Sequence, residues 1–128
     1  MRIGLVTEDL STNAFPGHSK NTVGYSCGNG GIYHGQEYAA MFICDALKYS
    51  KDDVVGCYLD PLKRIIRFTK NEKFNGLVIK DISIEKSLFL AVGLYYPNSS
   101  GLINFGGQPF AFKLEGTITT VNSLGVKT

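Results

Sequence analysis

Leu88-Phe89-Leu90-Ala91-Val92-Gly93-Leu94-Tyr95 is an apolar run whose side chains sort with a period of two. Leu88, Leu90, Val92 and Leu94 share one side, and Phe89, Ala91 and Tyr95 share the other. Successive side chains of an extended chain point to opposite faces. A strand apolar on both faces is expected to be central in its sheet and covered twice. The same period recurs outward from this run. Ile3 and Leu5 alternate with Gly4 and Val6, and Val55, Cys57 and Leu59 alternate with Val54 and Tyr58. Phe110, Phe112 and Leu114 alternate with Ala111 and Lys113, which suits a strand with one wetter face. The period is mostly two and not 3.6, so the chain reads as all-β.

Turn chemistry falls between the runs. Asp60-Pro61 offers a φ fixed near −65° before Arg64 to Phe68. Asn71-Glu72 separates that run from Phe74 to Ile79, so two consecutive hairpins are predicted. Ser26 to Gly31 is a further turn, leading into Ile32-Tyr33-His34. Short strands punctuated in this way predict a two-sheet antiparallel β-sandwich of jelly-roll type. From Gln36 to Tyr49, Tyr38, Met41, Phe42 and Leu47 could line one side of a short helix. Its start is uncapped and Gly35 flanks it, so it is read as a long loop with at most a helical turn.

Composition narrows the function. At 128 residues the chain is one domain, long enough to bury roughly two-thirds of its unfolded surface. With 44% hydrophobic residues and a net charge of +2, disorder is excluded. No apolar run approaches the ~20 residues of a membrane-crossing helix. Thirteen basic against eleven acidic residues leave little excess for neutralising nucleic-acid phosphates. Lys63, Arg64, Arg67, Lys70 and Lys73 do not form one surface, because strand alternation sends them to both faces. Cys27, Cys44 and Cys57 have no CxxC or zinc spacing, which points to a reducing cytoplasmic setting, with the nucleus also open.

Catalytic and metal chemistry find no foothold. His18 reads as a solvated turn residue and His34 as a strand-end residue, since Cys27 and His34 lack ligand spacing. Cys57 lies in an alternating strand as a core thiol, and Cys44 has no base beside it in sequence. The glycines of GNGG (28–31) precede no helix that could present amides to a phosphate. Asp45, Asp52 and Asp53 lack the spacing of a calcium loop. No enzyme, cofactor or metal is therefore expected.

The motifs, in order, are RIGLVT (2–7), PGH (16–18), VGYSCGNGGIYHG (23–35), DDVVGCYLD (52–60), RFTKNEKFNGLVI (67–79), LFLAVGLYYP (88–97) and INFGGQPFAF (103–112). Each is weak alone, but their series resembles SPRY domains, and most of all the Ran-binding-protein type found in GID/CTLH ubiquitin ligases. The resemblance implies a bent β-sandwich without a catalytic centre, whose loops at one edge bind a peptide or partner protein. Residues 1–115 would form the domain and 116–128 a short polar tail. The family normally carries further strands before the segment matching Arg2 to Val6. Two readings follow: a truncated domain with exposed sheet edges, or sheets completed by another chain as a homodimer or by strand swapping. The family's Asn-Gly hairpin is Asn71-Glu72 here. If Glu72 takes a positive φ, Glu72→Gly is expected to raise the melting temperature.

Aligning the resemblance residue by residue places two stretches on the binding edge, Phe15 to Asn21 and Tyr95 to Ser99. The candidate partner-binding residues are Pro16, His18, Lys20, Asn21, Tyr95, Tyr96, Pro97 and Asn98. Tyrosine brings contact area at low entropic cost together with a hydroxyl. Tyr95 has two readings, packing inward with its strand or facing a partner; Tyr96, beside Pro97, is expected to be exposed, and Tyr25 to pack beneath the site. The expected function is non-catalytic recognition of a protein or peptide, as a scaffold or substrate-recognition part of a ubiquitin ligase. The alternative is a lectin-like carbohydrate-binding domain, weakened by the absence of Trp.

Overall fold

The computed structural model describes residues 1–10, 13–35, 45–110 and 122–127. Among them nine strands run in chain order: β1 (Arg2–Val6), β2 (Val23–Ser26), β3 (Ile32–His34), β4 (Val54–Asp60), β5 (Ile65–Lys70), β6 (Lys73–Ile79), β7 (Phe89–Gly93), β8 (Leu102–Asn104) and β9 (Asn122–Lys127). A 3-10 turn covers Asp45–Leu47. The protein is all-β, built from two antiparallel sheets. The chain divides into two compact units, Met1–Ser50 with Ile84–Ser100, and Lys51–Ser83 with Gly101–Thr128.

The first unit holds a sheet of order β3-β2-β1-β7. Pairing of Ile3 with Tyr25 and Val92, and of Leu5 with Val23 and Leu90, gathers these side chains on one face. Ile32 joins them opposite Tyr25. Ile3, Tyr25, Val23 and Ile32 are all but inaccessible, so this face is the unit's core. Tyr49 closes it edge-on, its ring 4.8 Å from that of Tyr25. The Tyr49 hydroxyl donates to the Tyr25 carbonyl at 2.8 Å, and the Tyr25 hydroxyl donates to the Leu47 carbonyl. Both buried phenols are thus satisfied, as burial of a polar group requires.

The opposite face carries Arg2, Gly4 and Val6 with their partners Ser26, Gly24, Gly93, Ala91 and Phe89, and Tyr33 opposite Gly24. Among the described residues β7 is last in the sheet order and it is half-exposed, which corrects the expectation of a central strand covered twice. Its second apolar face has another role. Phe89 and Ala91 wall a pocket of about 380 Å³ together with Val6, Leu10, Ala14 and Pro16.

The second unit holds a sheet of order β6-β5-β4-β9-β8. Val55, Cys57 and Leu59 share a face with Ile66 and Phe68, and Ile79 adds to it opposite Ile66. Burial pushes the Cys57 thiol up to about 12, so it is an inert core group. The Asp60 carboxylate accepts the N–H groups of Leu62 and Lys63, each at 3.0 Å, closing the turn into β5. Arg64 stands at φ 54 inside that turn, so β5 starts one residue later than the pattern predicts.

In the next hairpin Lys70 faces Lys73, leaving Asn71-Glu72 as a two-residue loop. The positive φ, 56°, belongs to Asn71 and not to Glu72, which removes the premise for a gain from Glu72→Gly. Asn71 accepts the Val54 N–H at 2.9 Å and donates to Asp53 at 3.0 Å, tying the turn to the start of β4. Asn122–Lys127, within the stretch read as a tail, pair with both β4 and β8. Of the stretch Gln36 to Tyr49, read as a loop with at most a helical turn, residues 36–44 lie outside the described residues, as do Phe112 and Leu114, and Asp45–Leu47 form the 3-10 turn; Phe110 is half-buried and in no strand.

Candidate functional site

The loop entering β2 is built from two successive tight turns. His18 N–H donates to the Phe15 carbonyl at 3.0 Å across Pro16 and Gly17, the latter at φ 86. Proline second and a positive φ third is the signature of a type II turn. Thr22 N–H then donates to the Ser19 carbonyl at 3.1 Å, with Asn21 at φ 62. The buried Thr22 hydroxyl ties the two together. It accepts from Gly17 N–H at 3.0 Å and Ser19 N–H at 3.2 Å, and donates to the Ser19 carbonyl at 2.6 Å.

This loop lies directly on the glycine-rich face of the first sheet. A Cβ at Gly24 would overlap the Pro16 carbonyl, and a Cβ at Gly93 would overlap the Phe15 ring. Only glycine lets a loop backbone come this close to a strand. Beyond β7 the chain turns again, Ser99 N–H donating to the Tyr96 carbonyl at 3.3 Å across Pro97 and Asn98, the latter at φ 63. Each candidate stretch is therefore a proline-led turn, preorganised at little entropic cost.

Stacked rings join the two stretches. Phe15 and Tyr95 lie with centroids 4.1 Å apart and planes 18° from parallel. Arg2, at the start of β1, enters this cluster. Its guanidinium carbon is 3.8 Å from the Tyr33 ring centroid, 5.8 Å from that of Phe15 and 6.0 Å from that of Tyr95. One terminal nitrogen donates to the Pro16 carbonyl at 3.3 Å, whereas Nε is buried with no acceptor among the described residues. Asn29 holds Tyr33 in place, donating to its hydroxyl at 2.8 Å. Burial holds the Tyr95 hydroxyl above its usual range, with the Arg2 charge pulling the other way.

Pro16 is fully buried and reaches the site through its carbonyl, which corrects its placement as a contact residue. His18 and Lys20 are exposed on the same loop and Asn21 is half-buried. Tyr95 is 41% exposed while stacking on Phe15, and Tyr96 is 77% exposed, with Pro97 and Asn98 also open. Tyr25 packs on the far face of the sheet. Arg2, Tyr33 and Thr22 escape sequence reasoning. The signal for Arg2 was its side, shared with Gly4 and Val6 in an alternating strand.

Among the described residues no three His, Cys, Asp or Glu side chains gather as a metal site. No described helix is long and apolar enough to cross a membrane. Among known proteins, the SPRY-domain family model matches residues 1–108. The chain belongs to the SPRY domain family. SPRY domains are in general non-enzymatic protein–protein interaction modules.

This SPRY chain is 34% identical over 114 residues to the Ran-binding protein M homolog of Arabidopsis thaliana, covering 89% of itself and 23% of that protein. It is 31% identical over 122 residues to Ran-binding protein 9 of Xenopus laevis, covering 92% of itself and 21% of that protein. It thus spans about a quarter of the length of these relatives or less. A crystal structure of a human SPRY domain matches with a TM-score of 0.52 at 23% identity, over 74% of this chain and 68% of that one, and shows the shared fold.

Proposed function

We propose that this SPRY domain binds a peptide segment of a partner protein across the edge formed by the Phe15–Asn21 and Tyr95–Ser99 loops. One observation carries the reading: the Phe15–Tyr95 stack, at 4.1 Å, brings two separately preorganised turns into one surface. Exposed Tyr96, His18, Lys20, Pro97 and Asn98 flank it. Loops held by a rigid sheet are where recognition residues concentrate, and tyrosine is enriched at binding hot spots. No residue in this reading transforms a substrate.

The finer reading is a cytoplasmic and nuclear recognition subunit of a ubiquitin ligase, supported by likeness to the Ran-binding proteins. A pull-down with wild type and a His18→Ala/Tyr96→Ala double variant tests the binding edge. Loss of captured partners in the variant is expected, and equal recovery of the same partners ends the proposed site. Ubiquitin-ligase subunits among the captured proteins would support the finer reading, and their absence would remove it.

A further inference from the structure

Among the described residues the charge of Arg2 has no anionic counterpart. Arg2 enters none of the ion pairs formed among the described residues. Its acceptor among them is the Pro16 carbonyl, and Nε has none. A guanidinium half-withdrawn from water without an anion leaves strong donors unused.

The sequence around the cluster sharpens this. There is no Asp or Glu between Asp9 and Glu37, nor between Glu85 and Glu115. Those two intervals supply Phe15, Tyr33, Tyr95 and both candidate loops, and they add Lys20 as a second cation. The acidic residues nearest Arg2 in sequence, Glu8 and Asp9, follow the far end of β1. Arg2 and Val6 alone are separated by roughly 13 Å along an extended strand, more than a Debye length at physiological salt. Asp9 is already engaged, accepting from Lys86 at 3.2 Å and from the Thr7 hydroxyl. All eleven carboxylates of the chain are therefore excluded from the intervals that build the binding edge.

We infer that Arg2 receives an Asp or Glu side chain of the partner, so the segment recognised is an acidic peptide. The terminal nitrogens of Arg2 supply the fork that suits a carboxylate, while the rings of Tyr33, Phe15 and Tyr95 hold the guanidinium plane and thin the water around it. The attraction strengthens as the peptide covers the edge and lowers the local dielectric. This inference rests on the peptide-binding reading above and adds the chemistry of its ligand.

Selection of a phage-displayed library of random dodecapeptides on the intact chain is the test. Enriched peptides are expected to share one Asp or Glu. Changing it to Asn or Gln in a synthetic peptide weakens binding to the wild-type chain roughly 10- to 100-fold. The Arg2→Gln variant, shown to be folded by its melting transition, then binds the acidic and amide peptides alike. Should Arg2→Gln fail to fold, Arg2→Lys keeps the charge without the fork and is expected to narrow the preference. Binders with no shared acid, or a full preference that survives the Arg2 change, overturn the inference and leave peptide binding standing. A library yielding no binder for the wild-type chain removes both.

Discussion

Phe15 and Tyr95 stack face to face although eighty residues separate them, and the contact joins a loop before β2 to the chain leaving β7. Gly93 makes room for it, since any Cβ there would occupy the Phe15 ring. Aromatic pairs of this geometry couple by about 0.5–1.5 kcal/mol beyond the area they bury. Phe15→Ala and Tyr95→Ala are each expected to lower stability, and the double variant to lose less than their sum by that amount. Urea denaturation of the four chains measures the coupling; strict additivity would show the rings to be independent.

Gly24 and Gly28 are expected to respond differently to alanine. At Gly24 the added carbon meets the Pro16 carbonyl, which is backbone and cannot turn aside. The Phe15–Thr22 loop must lift, at a cost of about 1–3 kcal/mol. Gly28 has open space around its Cβ direction. Gly28→Ala is expected to lie within about 0.5 kcal/mol of wild type. Melting temperatures of the two variants suffice, and a Gly24→Ala chain as stable as wild type would contradict the close loop.

Asn71 and Glu72 divide the β5–β6 turn unequally. Asn71 holds the left-handed conformation and braces the start of β4 through its side chain. Asn71→Ala is expected to lose about 2 kcal/mol, from strain together with the lost hydrogen bonds. Glu72→Gly relieves nothing and adds freedom to the unfolded chain, for an expected loss of about 0.5–1 kcal/mol. Chemical denaturation of both variants checks the order.

His34 gives the fold a pH dependence of definite sign. It lies on the core face opposite Val23, and burial lowers its pKa below the ordinary 6.5. The unfolded chain therefore takes up the proton first as pH falls. Stability contributed by neutral His34 is present above pH 6.5 and is lost as pH falls from there through the lowered folded value. The urea midpoint is expected to drop as pH falls below 6.5, and His34→Gln to flatten that drop. An identical slope in the variant would assign the dependence to other groups.

Local patterns were enough for some of the elements, though not for β9, which lies in the stretch read as a tail. Alternation at Ile3 and Leu5, and at Val55 and Cys57, marks strands because a side chain's face depends only on its parity. The turns at Asp60-Pro61 and Asn71-Glu72 were legible because proline, aspartate and asparagine act on their own backbone. The same locality misleads at β7. An apolar strand reads as central whether its second face meets another layer or, as here, walls a pocket beneath a loop. Parity cannot separate the two. The conformation of the β5–β6 turn was likewise open, since Asn71 and Glu72 compete for one positive φ and cross-strand register decides between them.

The amino-acid order alone settled an all-β chain with the motif series of the SPRY family, and it marked both proline-led loops as candidates for recognition. Those properties depend on neighbours in sequence. Folding alone settled that Pro16 turns inward, that Tyr95 keeps one ring face for Phe15, and that Arg2 lies among three aromatic rings. Each of these depends on residues distant in the chain meeting across a sheet, where glycines leave the space. Contact between remote side chains carries no local periodicity to read.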